Sequence, residues 1–220
     1  MKIFAINGSP RKNYNTAKLL DSFLDGASSA CEDAEVELIN LYDLNYKGCT
    51  ECYACKVKDS PNYGKCTYPD DITELLQRMS QADVIAFGSP IYFSDLSGQL
   101  RCFLERMFYP FTAFKKDSDR VIAPKKIRTA YFYSMNVNEE VAKMAKYADN
   151  LAVTHGWTKH IWGYDPEVLF AYDTYQFENH SKYVADIWDW DHKKKWHEEQ
   201  FPKDLESAFE IGKKLVQMCI

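Results

Sequence analysis

The sequence predicts an α/β domain in which a parallel β-sheet is covered by helices on both faces. Short apolar runs typical of buried strands alternate along the chain with amphipathic helical patterns. Such alternation favours βαβ units, whose strands pair in parallel. A length of 220 residues, 46% of them hydrophobic, is enough for one well-buried core. We therefore expect residues 1–220 to form a single domain.

The opening of the chain predicts a strand, a helix and a second strand, in that order. Residues 2–7 form a strand because the apolar run from Ile3 to Ile6 ends abruptly in a polar loop. Residues 35–41 form the second strand, since charged and apolar residues alternate at its start. Residues 16–30 form the helix between them because apolar side chains recur on one face, at Leu19, Leu20, Phe23, Leu24 and Ala27.

The rest of the chain continues this alternation of strands and helices. Short runs rich in β-branched and aromatic residues predict three more strands, at 83–88, 126–133 and 157–163. Apolar residues at helical spacing predict four more helices, from Asp70 to about Ser80, at 97–107, at about 138–155 and at about 203–218. In a parallel sheet of this kind, ligands bind beyond the carboxyl ends of the strands.

Two stretches do not fit the alternation. Residues 42–69, the cysteine loop, form a long connection that carries four cysteines. Residues 164–202, the aromatic excursion, are rich in Tyr, Trp, Asp and His, and contain too many aromatic residues for a free linker. We expect the aromatic excursion to pack on the domain or to form an interface with a neighbouring subunit.

Charge and composition exclude several classes of function. The net charge of −5 argues against a nucleic-acid backbone as the main partner. No apolar run approaches the roughly 20 residues of a membrane span, and the chain opens directly into a strand without a signal peptide. A cytoplasmic location is therefore expected, in which the seven cysteines do not form a disulfide framework. The cluster of Lys193, Lys194 and Lys195 is predicted to be a solvated face.

The loop after the first strand gathers hydrogen-bond donors at the start of the first helix. Its sequence lacks both the G-x-G-x-x-G dinucleotide fingerprint and the Gly-Lys-Ser/Thr of a P-loop. Donors at the positive end of a helix dipole suit an anion, and a terminal phosphate fits best. The alternative is an ordinary strand-to-helix turn with an N-cap. The candidate phosphate ligands are Ser9, Arg11, Asn13, Asn15 and Thr16.

The loop after the third strand combines a tight turn, aromatic residues and hydroxyls in residues 88–98. Aromatic faces and backbone donors suit a flat heteroaromatic ring with polar edges. The alternative is that these aromatic residues pack into the core. Taken together, one loop for a phosphate and one for a flat ring describe a mononucleotide site, such as a site for FMN.

These two motifs resemble those of a known family. The residues GSPR-x-N-x-NT near the N-terminus and GSPIYFSDLSGQLRCFLER after the third strand resemble the flavodoxin-like NAD(P)H-dependent FMN reductases. The similarity is closest to the branch that contains the iron–sulfur flavoproteins. It implies a flavodoxin-like, doubly wound, five-stranded parallel sheet in the order 2-1-3-4-5, with bound FMN and redox chemistry.

The resemblance also implies the residues that hold FMN. The loop and helix start that would cradle the phosphate comprise Ser9, Arg11, Asn13, Asn15, Thr16 and Ala17. The segment that would line the isoalloxazine ring comprises Pro90, Ile91, Tyr92, Phe93, Ser94, Ser97 and Gly98. A third flavin loop in the family follows the fourth strand, and it begins here at Ser134.

The cysteine loop carries a C-x-x-C-x-x-C triple, with a fourth cysteine after ten intervening residues. Thiolates at this spacing converge readily on an iron–sulfur cluster with a distant fourth ligand. Free thiols, a redox disulfide or a zinc site are the alternatives, since cysteine spacing alone does not separate them. In the iron–sulfur members of the family the fourth cysteine is closer. The candidate ligands of a [4Fe–4S] cluster are Cys49, Cys52, Cys55 and Cys66.

These inferences lead to an FMN-binding oxidoreductase. Electrons from NAD(P)H, or from a ferredoxin-like protein donor, would pass through the flavin to a small acceptor. The alternative is a non-enzymatic electron carrier of the flavodoxin or iron–sulfur flavoprotein type, and a third hypothesis is a cysteine-based redox sensor. The resemblance implies flavins near subunit boundaries, so a homodimer or homotetramer is expected.

Overall fold

The computed structural model, which describes residues 1–116 and 120–220, contains a parallel five-stranded sheet with one short added strand. The order of the strands is β2-β1-β3-β5-β6, and β4 pairs antiparallel with the end of β3. The parallel strands thus follow the expected 2-1-3-4-5 order, and the two-residue β4 is an addition to it. The strands are β1 (Lys2–Asn7), β2 (Glu35–Asn40), β3 (Val84–Tyr92), β4 (Asp95–Leu96), β5 (Arg128–Ser134) and β6 (Glu167–Ala171).

Helices cover both faces of the sheet. Along β1, Ile3 and Ala5 join the apolar cluster under α1 and α7, whereas Phe4 and Ile6 join the cluster under α2, α3 and α5. This alternation follows from the two-residue period of a strand. No helix in the two described stretches is long and apolar enough to cross a membrane. The helices are α1 (Asn15–Ala30), α2 (Thr73–Met79), α3 (Gly98–Phe108), α4 (Glu139–Met144), α5 (Tyr147–Trp162), α6 (Trp190–Glu199) and α7 (Phe201–Gln217).

The strand predicted at 157–163 is wrong, because these residues complete α5. The aromatic and β-branched residues of this stretch favour a strand locally, but tertiary burial at helical spacing decides the outcome, with Thr154, Thr158 and Ile161 all buried. The helix ends at Gly163, whose φ of +83° suits the left-handed position after a helix. The fifth parallel strand is instead β6, inside the aromatic excursion.

Other predicted boundaries shift for local reasons. The single helix predicted at 138–155 is divided into α4 and α5 by Lys146, whose φ is +55°. The helix predicted from Asp70 begins only at Thr73, and the Asp70 carboxylate instead accepts from the Ile72 amide at 3.3 Å and pairs with the buried Arg106. Strand β3 continues four residues beyond the predicted 83–88, where its end pairs with β4.

Helices α1 and α7 touch at two glycines. A Cβ atom on Gly26 would lie 1.9 Å from the carbonyl oxygen of Phe209, and one on Gly212 would lie 2.1 Å from that of Phe23. Neither position can hold a side chain without separating the two helices, because the opposing atoms belong to the backbone. The contact between the first and last helices therefore depends on these two glycines.

A buried polar chain links β5 to α5. The Tyr133 hydroxyl lies 2.9 Å from Nε2 of His155, and the Tyr131 hydroxyl lies 2.8 Å from the Thr158 hydroxyl. Burial lowers the pKa of His155 to about 4, because the imidazolium form loses its hydration. His155 is therefore neutral in the folded protein at neutral pH.

We predict that Gly212→Ala lowers the free energy of unfolding by about 1–3 kcal/mol, because the added methyl group forces α1 and α7 apart. Gly156→Ala in α5 is the matched control, since its Cβ meets no atom within 4 Å. We expect this control to be neutral or stabilising by up to about 1 kcal/mol. Urea denaturation of both variants makes the comparison, and equal losses would contradict the packing argument.

We also predict that His155 makes the folded state lose stability as the pH falls. Its pKa is lower in the folded protein than the usual 6.5, so between pH 6.5 and about 4 the unfolded chain binds the extra proton. His155→Gln should reduce the loss of unfolding free energy over this range by about 2 kcal/mol, allowing for partial exposure. Exposed His160→Gln is the control, and an unchanged pH slope in His155→Gln would refute the prediction.

Candidate functional site

A cavity of about 410 Å³ lies beyond the carboxyl ends of β1, β3 and β5. Its volume falls within the range of roughly 300–1,000 Å³ common for small-molecule sites. All three strand-end loops identified in the sequence contribute to its wall. Six of the predicted cofactor residues line it: Arg11, Asn15, Pro90, Ile91, Tyr92 and Ser134.

The first two loops meet through a close approach of backbone at the base of this site. The Gly8 amide donates to the Gly88 carbonyl at 2.8 Å, and the Ser97 hydroxyl donates to the Gly8 carbonyl at 2.7 Å. A Cβ atom on Gly8 would lie 2.9 Å from that of Leu100 and 3.0 Å from the Gly88 oxygen. Gly8 is therefore required where the loop turns, and Ser97 serves as a structural link between loops as well as the N-cap of α3.

The N-terminus of α1 presents buried donors beside the first loop. The first backbone amides of a helix have no partner within it, and here Tyr14 at the N-cap position gives no side-chain cap. Asn15, Thr16 and Ala17 are all buried. The Thr16 hydroxyl lies 2.8 Å from the Ser134 hydroxyl, which ties the first loop to the third. Uncapped amides at a helix start form a binding site for an anion.

Two predicted phosphate ligands contact the aromatic excursion. The Asn15 side-chain amide donates to the Tyr175 carbonyl at 2.7 Å, and the Arg11 guanidinium donates to the Gln176 carbonyl at 2.6 Å. The Arg11 guanidinium also stacks 3.8 Å from the centre of the Tyr14 ring. The aromatic excursion therefore packs directly against the first loop, which is the first of its two expected positions, on the domain itself.

The second loop forms a hairpin whose two tip residues do not line the cavity. Strands β3 and β4 pair through Ile91 and Tyr92, and the two residues between the strands, Phe93 and Ser94, have φ values of +50° and +66°. Two positive φ values are typical of a type I′ hairpin turn. Phe93 is fully exposed at this tip. The ring contacts proposed for Phe93 and Ser94 stay predictions.

Among the described residues, the cavity wall does not include eight of the predicted cofactor residues. Ser9, Thr16 and Ala17 are buried behind the first loop and can contribute through the backbone. Gly98 starts α3, where a Cβ would meet open space. The eight are Ser9, Asn13, Thr16, Ala17, Phe93, Ser94, Ser97 and Gly98.

The aromatic excursion supplies wall residues that the sequence analysis did not identify. Phe177 and Tyr183 stack with ring centres 4.2 Å apart at the edge of the cavity. The density of aromatic residues in the excursion was the available signal, but local sequence does not show which surface they face. The additional lining residues are Pro10, Met135, Asn136, Thr174, Tyr175, Gln176, Phe177 and Tyr183.

The four cysteines of the cysteine loop line a second, small cavity of about 20 Å³. Burial raises the pKa of the Cys55 thiol. Arg106 is 2% exposed and donates from Nε to the Cys66 sulfur at 3.2 Å while pairing with Asp70. Within residues 1–116 and 120–220, no group of three or more His, Cys, Asp or Glu side chains is arranged to hold a metal ion.

Comparison with known proteins identifies the family. The profile of the NADPH-dependent FMN reductase family matches residues 1–149. An iron–sulfur flavoprotein of Methanocaldococcus jannaschii is 39% identical over 106 residues, 48% of this chain and 51% of that protein. One from Archaeoglobus fulgidus is 35% identical over 124 residues, 56% of this chain and 57% of that protein. The chain thus spans about half the length of the curated relatives it matches.

Solved structures confirm the fold. An NAD(P)H:quinone oxidoreductase from Methanothermobacter marburgensis superimposes with a TM-score of 0.67 at 17% identity, over 98% of this chain and 96% of its own. An FMN-dependent NADH-azoreductase from Bacillus anthracis, in complex with FMN, gives a TM-score of 0.64 at 12% identity, over 98% and 99%. At these identities the likeness concerns the flavodoxin-like fold. By the match of its first 149 residues, the chain belongs to the NADPH-dependent FMN reductase family.

Proposed function

We propose that this chain is an FMN-dependent oxidoreductase that passes electrons from NAD(P)H, or from a ferredoxin-like protein donor, to a small acceptor. The observation that carries the proposal is the meeting of an uncapped, buried helix start with a cavity of ligand size at one edge of the sheet. Family membership supports the same conclusion.

The donor set fits FMN. The buried amides at the start of α1 and the Arg11 guanidinium suit the doubly charged phosphate. Pro90 to Tyr92 on one side and Ser134 to Asn136 on the other suit the ring, with backbone groups at its polar rim. When bound, FMN supplies hydride and single-electron transfer, and the protein supplies binding and orientation.

The chain's own residues have defined tasks in this proposal. Arg11 and the helix start bind the phosphate, and the Thr16–Ser134 hydrogen bond keeps the first and third loops at a fixed separation. The stacked pair of Phe177 and Tyr183 shields one edge of the cavity from water. We assign the small acceptor and the nicotinamide donor to the open side of the same cavity.

Assembly and location are part of the proposal. Exposed apolar side chains at the turn between β3 and β4 and in the aromatic excursion, Phe93, Val184 and Ile187, support a homodimer or homotetramer. None of the seven cysteines forms a disulfide with another described residue, in keeping with the reducing, cytoplasmic compartment of this proposal.

We predict that the FMN-loaded chain oxidises NADPH or NADH in the presence of a small quinone.

Arg11→Met should weaken FMN binding about tenfold or more, because it removes a charge-assisted hydrogen bond to the phosphate. Arg78→Met is the control, since Arg78 on α2 is an exposed arginine that pairs with Glu37 on β2. Flavin fluorescence measures binding, and absorbance of the nicotinamide measures turnover.

Two results separate the alternatives. An FMN-saturated chain that consumes neither nucleotide with several acceptors would contradict the reductase and favour a carrier that serves only protein partners. Equal FMN affinity in Arg11→Met and Arg78→Met would contradict the placement of the phosphate.

We further propose that Cys49, Cys52, Cys55 and Cys66 would hold a [4Fe–4S] cluster, which would supply single-electron chemistry. The four cysteines line one cavity, and four thiolates are the donor set of such a cluster, but their described side chains are not arranged to hold a metal ion. The cavity has room for about one water molecule, so the loop must widen to hold the cluster. The names of the M. jannaschii and A. fulgidus relatives support this proposal.

We predict about four irons per chain in protein purified without oxygen. Cys52→Ala should lower the iron content and the dithionite-bleachable absorbance, whereas Cys219→Ala, an exposed cysteine near the C-terminus, should not. Iron-free wild-type protein, or equal iron in the two variants, would refute the cluster and leave the cysteines as thiols.

A further inference from the structure

Lys193 is a buried cation on a helix whose neighbouring lysines are exposed. Its side chain is 3% exposed, whereas Lys194 and Lys195 face solvent. The Lys193 ammonium donates to the Asn136 carbonyl at 2.6 Å and to the Asp173 carboxylate. The prediction of a solvated face at residues 193–195 is therefore wrong for Lys193, because α6 turns this one side chain inward.

The two partners of Lys193 lie on the two chain segments that form different walls of the cavity. Asn136 lines the cavity from the third strand-end loop, and Asp173 immediately precedes residues 174–177, which line it from the aromatic excursion. Asp173 is itself buried with a φ of +52°, and its amide donates to the Val137 carbonyl at 2.8 Å. The Asp173 carboxylate also lies 3.0 Å from Nε2 of His192. Lys193 thus joins two walls through one buried ammonium group.

The segment after Asp173 is hydrogen-bonded to Arg11 in the loop after β1 and to Asn15 at the start of α1. The Thr174 amide donates to the Met135 carbonyl at 2.9 Å. The next two carbonyls, of Tyr175 and Gln176, accept from Asn15 and Arg11. A short run of backbone therefore connects the ion pair of Lys193 and Asp173 to the side chains proposed to meet the phosphate.

Burial of a charged pair away from solvent has a desolvation cost that a surface lysine avoids. At a solvent-facing helix position, Lys193 could point outward like its two neighbours. The hydrogen bonds to the Asn136 carbonyl and the Asp173 carboxylate offset this cost, and they fix two segments of backbone at the cavity. Because these contacts lie next to residues that line the cavity, we expect their loss to weaken the binding of a ligand there.

We propose that Lys193 is a positioning residue for the FMN site. It holds the third loop and residues 173–176 together, and so sets the orientation of Asn15 and Arg11 toward the phosphate. The inference rests on the proposed binding of FMN. It assigns a function in ligand binding to the aromatic excursion, which the sequence analysis treated as packing or interface.

The test compares Lys193→Met with Lys194→Met on the same helix. We expect Lys193→Met to weaken FMN binding at least tenfold, measured by quenching of flavin fluorescence, and Lys194→Met to keep the wild-type affinity. In the FMN-free protein, amide hydrogen exchange at Asp173 and Thr174 should be faster in Lys193→Met than in Lys194→Met. Equal FMN affinity in the two folded variants would overturn the proposal.

A second variant covers the case in which Lys193→Met does not fold, since it leaves the Asp173 carboxylate buried without its cation. The double variant Lys193→Met with Asp173→Asn removes both charges while still losing the bond to the Asn136 carbonyl. We expect it to fold and to bind FMN more weakly than the wild type, and wild-type affinity in it would overturn the proposal.

A measurement on the wild type needs no variant. Because coupling between the ligand and these contacts is reciprocal, FMN should slow exchange of the Asp173 and Thr174 amides. If FMN binds without slowing hydrogen exchange of these two amides, the proposal for Lys193 is overturned, whereas the proposed FMN binding still stands. A wild-type chain that takes up no FMN would instead refute the proposed function itself, so the two failures are distinguishable.

Discussion

The site depends on the close approach of the backbone at Gly8 and Gly88. The parallel register brings Asn7 opposite Gly88, and the Gly8 amide then bonds the Gly88 carbonyl where the two strands diverge. Ser97 closes the arrangement by donating to the Gly8 carbonyl. These bonds place the start of α1 and the end of β3 beside the same cavity. A side chain at Gly8 would separate the loop after β1 from the loop after β3.

Two buried cations perform a similar task for the two long insertions in the fold. Arg106 binds Asp70 and the Cys66 sulfur, and so anchors the cysteine loop to α3. Lys193 binds Asp173 and so anchors the aromatic excursion to the third loop. Each insertion packs apolar side chains on the domain core, Leu44 and Tyr46 from the cysteine loop and Val168 and Phe170 from the aromatic excursion. The buried charges add directional bonds to that packing. Removal of one partner would leave the other charge buried and unpaired.

Local patterns predicted the central strands and both motif loops, because β1, β3 and β5 are short apolar runs and their loops follow directly in sequence. The fifth strand was predicted in the wrong place. The aromatic residues of 157–163 favour a strand locally, but these residues are helical because the helix buries Thr154 and Thr158 on one face. The wall formed by the excursion could not be predicted at all. Its bonds join Asn15 to Tyr175, which are 160 residues apart, and no local pattern carries that information.

The central claim is that the cavity beyond the strand ends binds FMN through its phosphate. Titration of the purified chain with FMN and with riboflavin, which has the same ring and no phosphate, tests this directly. We expect one FMN to bind per chain and riboflavin to bind at least about tenfold more weakly, since riboflavin has no phosphate for the helix start and Arg11 to bind. Equal affinity for the two flavins, or no binding of either, would contradict it.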